Sequence, residues 1–237
     1  KMGFQYFHNQ GVEKKKIIAI DGAYHGDTFG AMSVGDRGPF TAPFDPYLFE
    51  VEFIDFPDAD KEDEVWKNFK GLVESGDVAS FIFEPIVQGA SGMKFYSAEL
   101  LDRMIALAQG HDVICIADEV MTGFGRLGTL FAADLLEHKP DIICLSKGLT
   151  GGVLPMGVTS CTEKIQEAYR SNDLMKTFFP LVQTYGNLND DAHFQSLADD
   201  IAVNLKIQYG DWHIEPSGEA FVARAESRSL AGLLDAV

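Results

Sequence analysis

The sequence predicts an α/β fold built on a mostly parallel β-sheet with helices on its faces. Short apolar runs recur along the chain, and polar or glycine residues close each of them, which is typical of buried parallel strands. The four clearest runs are residues 17–20, 78–83, 114–117 and 142–145. Amphipathic stretches separate these runs, and such alternation of strand and helix indicates a parallel sheet.

The remaining elements follow from the spacing of apolar residues and from turn signals. Ser97 is a candidate N-cap for the helix that follows it. Residues 37–47 contain three prolines and predict a loop. The predicted helices are residues 1–10, 61–75, 98–109 and 162–170, and a further strand is predicted at residues 49–56.

Composition limits the possible partners. A chain of 237 residues, 46% of them hydrophobic, is long enough for one large domain or two small ones with a real core. Its formal net charge of -17 argues against nucleic acid and against anionic membrane surfaces as general partners. From these residues we expect neither a signal peptide nor an apolar run long enough to span a bilayer. A segment ahead of Lys1 is nevertheless expected, because the sequence does not start with methionine.

Cysteine usage indicates a reducing compartment. Cys115 and Cys144 lie inside apolar strand candidates, so we expect buried thiols that act as small hydrophobic side chains. Together with Cys161 they show no spacing typical of a zinc site or a disulfide framework. No metal site is predicted, and the expected location is the cytoplasm.

Two motifs follow neighbouring apolar runs and carry the candidate chemistry. Asp118 opens the stretch Asp-Glu-Val-Met-Thr-Gly-Phe-Gly-Arg, and Lys147 lies in Leu-Ser-Lys-Gly-Leu-Thr-Gly-Gly. Ligands of open α/β sheets bind at the carboxyl ends of the strands, so both side chains are expected at one rim. A lysine there is suited to form a Schiff base with pyridoxal 5'-phosphate (PLP), and an aspartate is suited to pair with the pyridinium nitrogen.

Residues 1–179 resemble the class III aminotransferases, which are fold type I PLP-dependent enzymes. The two motifs above carry the resemblance, together with Tyr24-His25-Gly26 and Glu84-Pro85. It implies the large PLP-binding domain of that fold over residues 1–179, a small-molecule amino donor and a keto acceptor. The family's N-terminal part and its C-terminal small domain have no recognisable counterpart in this sequence.

The resemblance also implies roles for individual residues. Lys147 would bind the PLP aldehyde and move the substrate proton, and Asp118 would keep the ring nitrogen protonated. Tyr24 would cover one face of the ring, although Ala23 replaces the glycine usual before it. The cofactor-binding set is Tyr24, His25, Glu84, Asp118 and Lys147, and the substrate-binding set is Asp27 and Gly152.

Each residue has a simpler interpretation when it is taken alone. A lysine after an apolar run is usually a solvated strand end, and an aspartate before a loop is usually a cap. Tyr24 is then a half-buried tyrosine whose hydroxyl has found a partner. Four such positions at four successive strand ends favour the functional interpretation.

Residues 180–237 form an unassigned tail that is expected to be largely helical, with helix candidates at 196–209 and 219–237. In the resembled family a threonine near the position of Thr184 crosses a homodimer interface, and an arginine binds the substrate carboxylate. Neither Arg224 nor Arg228 can be matched to that arginine. The family's Gly-Ser phosphate loop would precede Lys1, so the 237 residues alone are expected to be inactive and the intact protein to be a homodimer.

Three functions remain open from the sequence. The first is transfer of an amino group from S-adenosylmethionine to 7-keto-8-aminopelargonate in biotin synthesis, favoured by Met121, Thr150 and Asp27-Thr28-Phe29. The second is transamination of another omega-amino compound, such as ornithine or GABA. The third is a non-catalytic fragment or an interaction protein.

Overall fold

The computed structural model describes residues 1–153 and 156–178, and the backbone of two strands at 212–217 and 220–225. The chain divides into two compact units, Lys1–Ala168 and Tyr169–Val237. The helices of the first unit are α1 (Met2–Asn9), α2 (Phe29–Ser33), α3 (Glu62–Glu74), α4 (Ala98–Gly110), α5 (Lys147–Thr150) and α6 (Glu163–Glu167). Its strands are β1 (Lys16–Ile20), β2 (Glu52–Ile54), β3 (Val78–Phe83), β4 (Val87–Gln88), β5 (Lys94–Phe95), β6 (Ile114–Asp118), β7 (Ile142–Leu145) and β8 (Val158–Cys161).

The main sheet of this unit has six strands in the order β2-β1-β3-β6-β7-β8. Every neighbouring pair from β2 to β7 is parallel, and only β8 runs antiparallel, against β7. The predicted mostly parallel sheet is therefore confirmed. A separate two-stranded hairpin joins β4 to β5.

Helices cover both faces of the sheet. Ile18 and Ile20 lie in the large core cluster with residues of α3 and α4, whereas Ile17 and Ala19 belong to a second cluster. This alternation along β1 is what a strand buried on both faces requires. A Cβ at Gly3 would collide with the Ser80 hydroxyl, so α1 lies close against β3.

The helices predicted at residues 1–10, 61–75 and 98–109 are confirmed with small shifts at their ends. α3 buries Val65, Phe69 and Val73 along one stripe. α4 begins at the predicted cap, where the Ser97 hydroxyl accepts a hydrogen bond from the Leu100 N–H at 3.1 Å. α6 is shorter than the predicted helix at residues 162–170.

The predicted strand at residues 49–56 is confirmed only at its centre. β2 covers three residues at the edge of the sheet. The Phe49 N–H donates to the Ser33 hydroxyl at 3.2 Å, so the chain is held by α2 before it reaches the sheet.

In the second unit, β9 (Trp212–Ser217) and β10 (Ala220–Ala225) form an antiparallel hairpin. The helix predicted over residues 219–237 is therefore wrong at residues 220–225. Trp212, Ile214, Phe221 and Val222 are aromatic or β-branched residue types, which favour strands. The helix candidate at residues 196–209 lies outside the described residues.

Candidate active site

The carboxyl ends of β6 and β7 bring the two central motifs to the same rim of the sheet. Asp118 is the last residue of β6 and lies opposite Cys144 of β7. The Glu119 N–H donates to the Cys144 carbonyl at 2.9 Å and extends this pairing by one residue. Lys147, three positions after Cys144, is the first residue of α5.

Asp118 is nearly buried, with 8% of its surface exposed, and both carboxylate oxygens accept hydrogen bonds. Oδ1 accepts from the Val120 N–H at 3.1 Å. Oδ2 lies 2.7 Å from Nδ1 of His25. A carboxylate only accepts, so Nδ1 of His25 carries the proton of this bond. Nε2 of His25 is buried and has no hydrogen-bond partner among the described residues.

Tyr24 and Asp27 form a second pair at this rim. The Tyr24 hydroxyl donates to Oδ2 of Asp27 at 2.8 Å, and this bond is the main reason that the pKa of Tyr24 is raised. Tyr24 as a whole residue is 47% exposed. The hydroxyl therefore has a hydrogen-bond partner, as the simpler interpretation of Tyr24 expects. The exposure of the residue is compatible with the predicted stacking on the cofactor ring.

Glu84 is buried directly after β3, and its carboxylate is engaged by two loops. Oε1 accepts from the Tyr24 N–H at 3.1 Å, and Oε2 accepts from the Gly89 N–H at 2.9 Å. Ile86, two residues on, has a φ of 69°, a conformation that is rare for a β-branched residue. Glu84 thus fixes the turn that carries Tyr24, and its direct contact with the cofactor stays a prediction.

The segment around Lys147 is open on its solvent side. Lys147 is exposed, and the Ser146 hydroxyl donates to the Met156 carbonyl at 2.8 Å. Gly151 and Gly152 have φ angles of 62° and 88°, so glycine is required for the chain to reverse after α5. Gly152 lies exposed on that turn, and its substrate-binding role stays a prediction.

The structure also reveals partners that the sequence did not single out. The bond between His25 and Asp118 joins residues 93 positions apart, a separation at which sequence spacing gives no signal. Glu119 and Phe124 lie inside the Asp118 motif but had no assigned role. Thr184 and Arg228 lie outside the described residues, and only the backbone of Arg224 is described.

Of the two cysteines expected to be buried, Cys115 is buried and Cys144 is only partly buried, as is Cys161. Burial raises the pKa of Cys115 and of Cys161, and it raises the pKa of Cys144 to about 11. Within the described residues, no group of three or more His, Cys, Asp or Glu side chains is placed to hold a metal ion. No helix in that part of the chain is both long enough and apolar enough to cross a membrane.

The mostly parallel sheet with helices on its faces matches the fold type I PLP-dependent transferases. The sequence model of the class III aminotransferases matches residues 1–182, and the chain belongs to that family.

Among the most similar curated relatives are enzymes that share the same name. The adenosylmethionine-8-amino-7-oxononanoate aminotransferase of Synechococcus elongatus is 46% identical over 187 residues, which are 76% of this chain and 44% of that protein. The enzyme of the same name from Staphylococcus aureus is 37% identical over 195 residues, covering 76% of this chain and 43% of its own. The chain thus spans less than half the length of these curated relatives.

Solved structures agree with this assignment. The enzyme of that name from Methanocaldococcus jannaschii matches with a TM-score of 0.65 and 30% identity, covering 90% of this chain and 54% of that one. An (S)-enantioselective omega-transaminase from Thermomicrobium roseum matches with a TM-score of 0.66 and 28% identity, covering 73% and 41%.

Class III aminotransferases use PLP, and the residues at this rim fit that cofactor. Each Asp118 oxygen accepts one hydrogen bond and keeps further acceptor capacity, which suits a pyridinium N–H. The exposed face of Tyr24 suits a planar ring, and the exposed amine of Lys147 suits an aldehyde.

Proposed function

We propose that the protein is an aminotransferase in which Lys147 and Asp118 hold PLP between them. One observation carries this proposal: the two residues leave adjacent parallel strands at the same rim, with Asp118 in register with Cys144. When bound, the cofactor supplies an aldehyde for the lysine amine and a pyridinium ring that accepts electrons.

Asp118 acts on the ring nitrogen. Its carboxylate, which accepts hydrogen bonds from the Val120 N–H and from His25, would also accept the hydrogen bond of the protonated ring nitrogen. A hydrogen bond to a charged group in a site shielded from water is stronger than one in solvent. His25 therefore orients the carboxylate and limits its motion.

Lys147 acts on the amino donor. Its amine would hold the cofactor through the aldehyde, and the same amine would serve as the base that moves the proton from Cα of the donor. α5 begins at Lys147 and ends in the Gly151-Gly152 turn, so Lys147 lies on a short element that follows β7, the strand paired with β6 and Asp118. Tyr24 covers one face of the ring and excludes water there.

We further propose S-adenosylmethionine as amino donor and 8-amino-7-oxononanoate, also called 7-keto-8-aminopelargonate, as acceptor. The names of the relatives that are 46% and 37% identical support this choice. Such an enzyme would supply a diamine to biotin synthesis.

The test is a panel of donors assayed with the native protein and 8-amino-7-oxononanoate. We expect turnover with S-adenosylmethionine and none with ornithine or GABA. Turnover with ornithine or GABA and none with S-adenosylmethionine would assign the chain to the omega-amino-acid enzymes. The similarity to the Thermomicrobium roseum omega-transaminase is the observation that supports this second candidate function.

We also propose that the protein is a homodimer and works in the cytoplasm. Three free cysteines fit a reducing compartment. Sedimentation of the native protein tests the assembly, and a monomer that retains full turnover would contradict it.

A further inference from the structure

Glu119, the neighbour of Asp118, is fully buried and carries a carboxylate with three donors. Oε1 accepts from the Ala133 N–H at 2.7 Å. Oε2 accepts from the Ala132 N–H at 2.9 Å and from the Thr122 hydroxyl at 2.8 Å. Burial raises the pKa of Glu119. The side chain closes the loop of residues 119–133, the Asp118 loop, by joining its first residue to its last.

This closure places two aromatic rings. Phe131 directly precedes Ala132, and its ring packs edge-on against Phe124 with centroids 5.8 Å apart. Phe124 has a φ of 61°, which is an outlier for a bulky side chain and persists only when its surroundings hold it. A Cβ at Gly123 would also lie 3.4 Å from Leu145 of β7, so the loop lies against the strand that leads to Lys147.

Phe124 lies directly over Gly148, the residue after Lys147. A Cβ at position 148 would lie 2.6 Å from Cγ and 2.7 Å from Cβ of Phe124, far inside contact distance. Gly148 does not have a positive φ, so the backbone conformation does not require glycine there. Glycine is required because a larger residue would collide with Phe124. The loop that Glu119 closes therefore contacts α5 at Gly148, directly after Lys147.

We infer that Glu119 is a positioning residue for Lys147, acting through Phe131, Phe124 and Gly148. The inference rests on the role of Lys147 proposed above. The backbone of Glu119 bonds to Cys144 of β7 while its side chain holds the far end of the loop. Glu119 thus couples β7, the strand before Lys147, to the Phe124 ring, which lies over Gly148.

The experiment compares Glu119→Gln and Phe124→Ala with Asp141→Asn in the native protein. Glutamine has the shape of glutamate, but its amide nitrogen leaves one backbone N–H without an acceptor. Asp141 is the matched control: it is a buried carboxylate that accepts a backbone N–H, from Cys115 at 2.9 Å, and it precedes β7 at the other end of that strand. Two quantities are measured, amide hydrogen exchange in peptides covering residues 144–151 without PLP, and the rate at which borohydride-trappable PLP adduct forms on Lys147.

We expect Glu119→Gln and Phe124→Ala each to speed exchange at residues 144–151. Each should slow adduct formation about tenfold to a hundredfold, the cost of a small misplacement of a reacting group. The double variant should be little worse than either single variant, because both act along one route. Asp141→Asn should change neither quantity.

Faster exchange confined to the Asp118 loop, with residues 144–151 and the adduct rate unchanged, would overturn the inference and leave Glu119 a structural residue only. If Glu119→Gln does not fold, Phe124→Ala still decides, since normal exchange and a normal adduct rate in that variant contradict the proposed route. If the unaltered protein forms no adduct on Lys147, the proposed function is refuted instead. The amide exchange measurement is made without PLP, so it would still test whether Glu119 and Phe124 order residues 144–151.

Discussion

Nδ1 of His25 lies 2.7 Å from Oδ2 of Asp118, and this bond ties the turn after β1 to the end of β6. The imidazole is almost entirely buried, with a side-chain exposure of 2%. A second pair of the same chemistry exists in the chain: Nδ1 of His138 lies 2.9 Å from Oδ2 of Asp102, away from the rim and partly exposed. The two pairs allow the contribution of His25 to be separated from that of a histidine–aspartate bond in general.

The first prediction concerns His25. His25→Ala should weaken PLP binding and lower turnover by roughly tenfold to a hundredfold, since a hydrogen bond to a charged group contributes about 1.5–3 kcal/mol. His25→Asn should be less impaired, because its amide nitrogen can replace Nδ1 as donor. Cofactor titration and kcat measure both effects. His138→Ala should leave them unchanged, and an equal loss in that control would remove the special role of His25.

The second prediction concerns Asp118. Asp118→Asn should keep the fold and lower kcat on the order of a hundredfold or more, because the amide cannot hold a proton on the ring nitrogen as an anion does. The control is Asp102→Asn. A near-normal rate for Asp118→Asn would exclude Asp118 from the chemistry.

The third prediction separates the ring of Tyr24 from its hydroxyl. Tyr24→Phe keeps the ring and should bind PLP nearly normally, whereas Tyr24→Ala should bind it about two- to tenfold more weakly, the range expected for one aromatic contact. Because Tyr24→Phe also frees the Asp27 carboxylate, KM for the amino donor should change more than kcat. If Tyr24→Ala binds PLP as well as the unaltered protein, the ring does not stack on it.

The fourth prediction follows from the pKa of Cys144, which burial and then the nearby Asp118 charge raise to about 11. A raised thiol pKa means that the reactive thiolate forms only at higher pH. In a protein with Cys115→Ser and Cys161→Ser, alkylation of Cys144 by iodoacetamide at pH 8 should be about a hundredfold slower than that of a thiol with a pKa near 9. The rate should rise tenfold per pH unit towards pH 11.

Adding Asp118→Asn to that background should speed the alkylation, because one cause of the raised pKa is then removed. An alkylation rate that levels off near pH 9, or that is the same with and without Asp118→Asn, would contradict the placement of Cys144 beside the Asp118 carboxylate.

The sequence predicted the frame of the site because strand ends in a parallel sheet carry a local signal. Asp118, Lys147 and Glu84 each follow an apolar run, and the structure places all three at carboxyl ends of strands in one sheet. Tyr24 and His25 follow β1 in the same way. The parallel order of these strands then brings the rim together without information from distant contacts.

The features that were missed depend on tertiary contacts. β8 is short and mostly exposed, so no apolar run indicates it. The burial of Glu119 runs against the rule that a charged residue next to a loop is solvated. The N–H groups of Ala132 and Ala133 and the Thr122 hydroxyl, which donate to its carboxylate, explain the burial. The contact between Phe124 and Gly148 likewise could not be predicted, because the two residues lie in separate sequence motifs.

The central claim is that Lys147 forms the covalent bond with PLP. The most direct measurement is borohydride reduction of the native protein loaded with PLP, followed by peptide mass spectrometry. We expect the cofactor adduct on Lys147, its loss in Lys147→Ala, and its persistence in Lys164→Ala, which removes a surface lysine paired with Asp112. An adduct that survives in Lys147→Ala, or that maps to another lysine, would contradict the account.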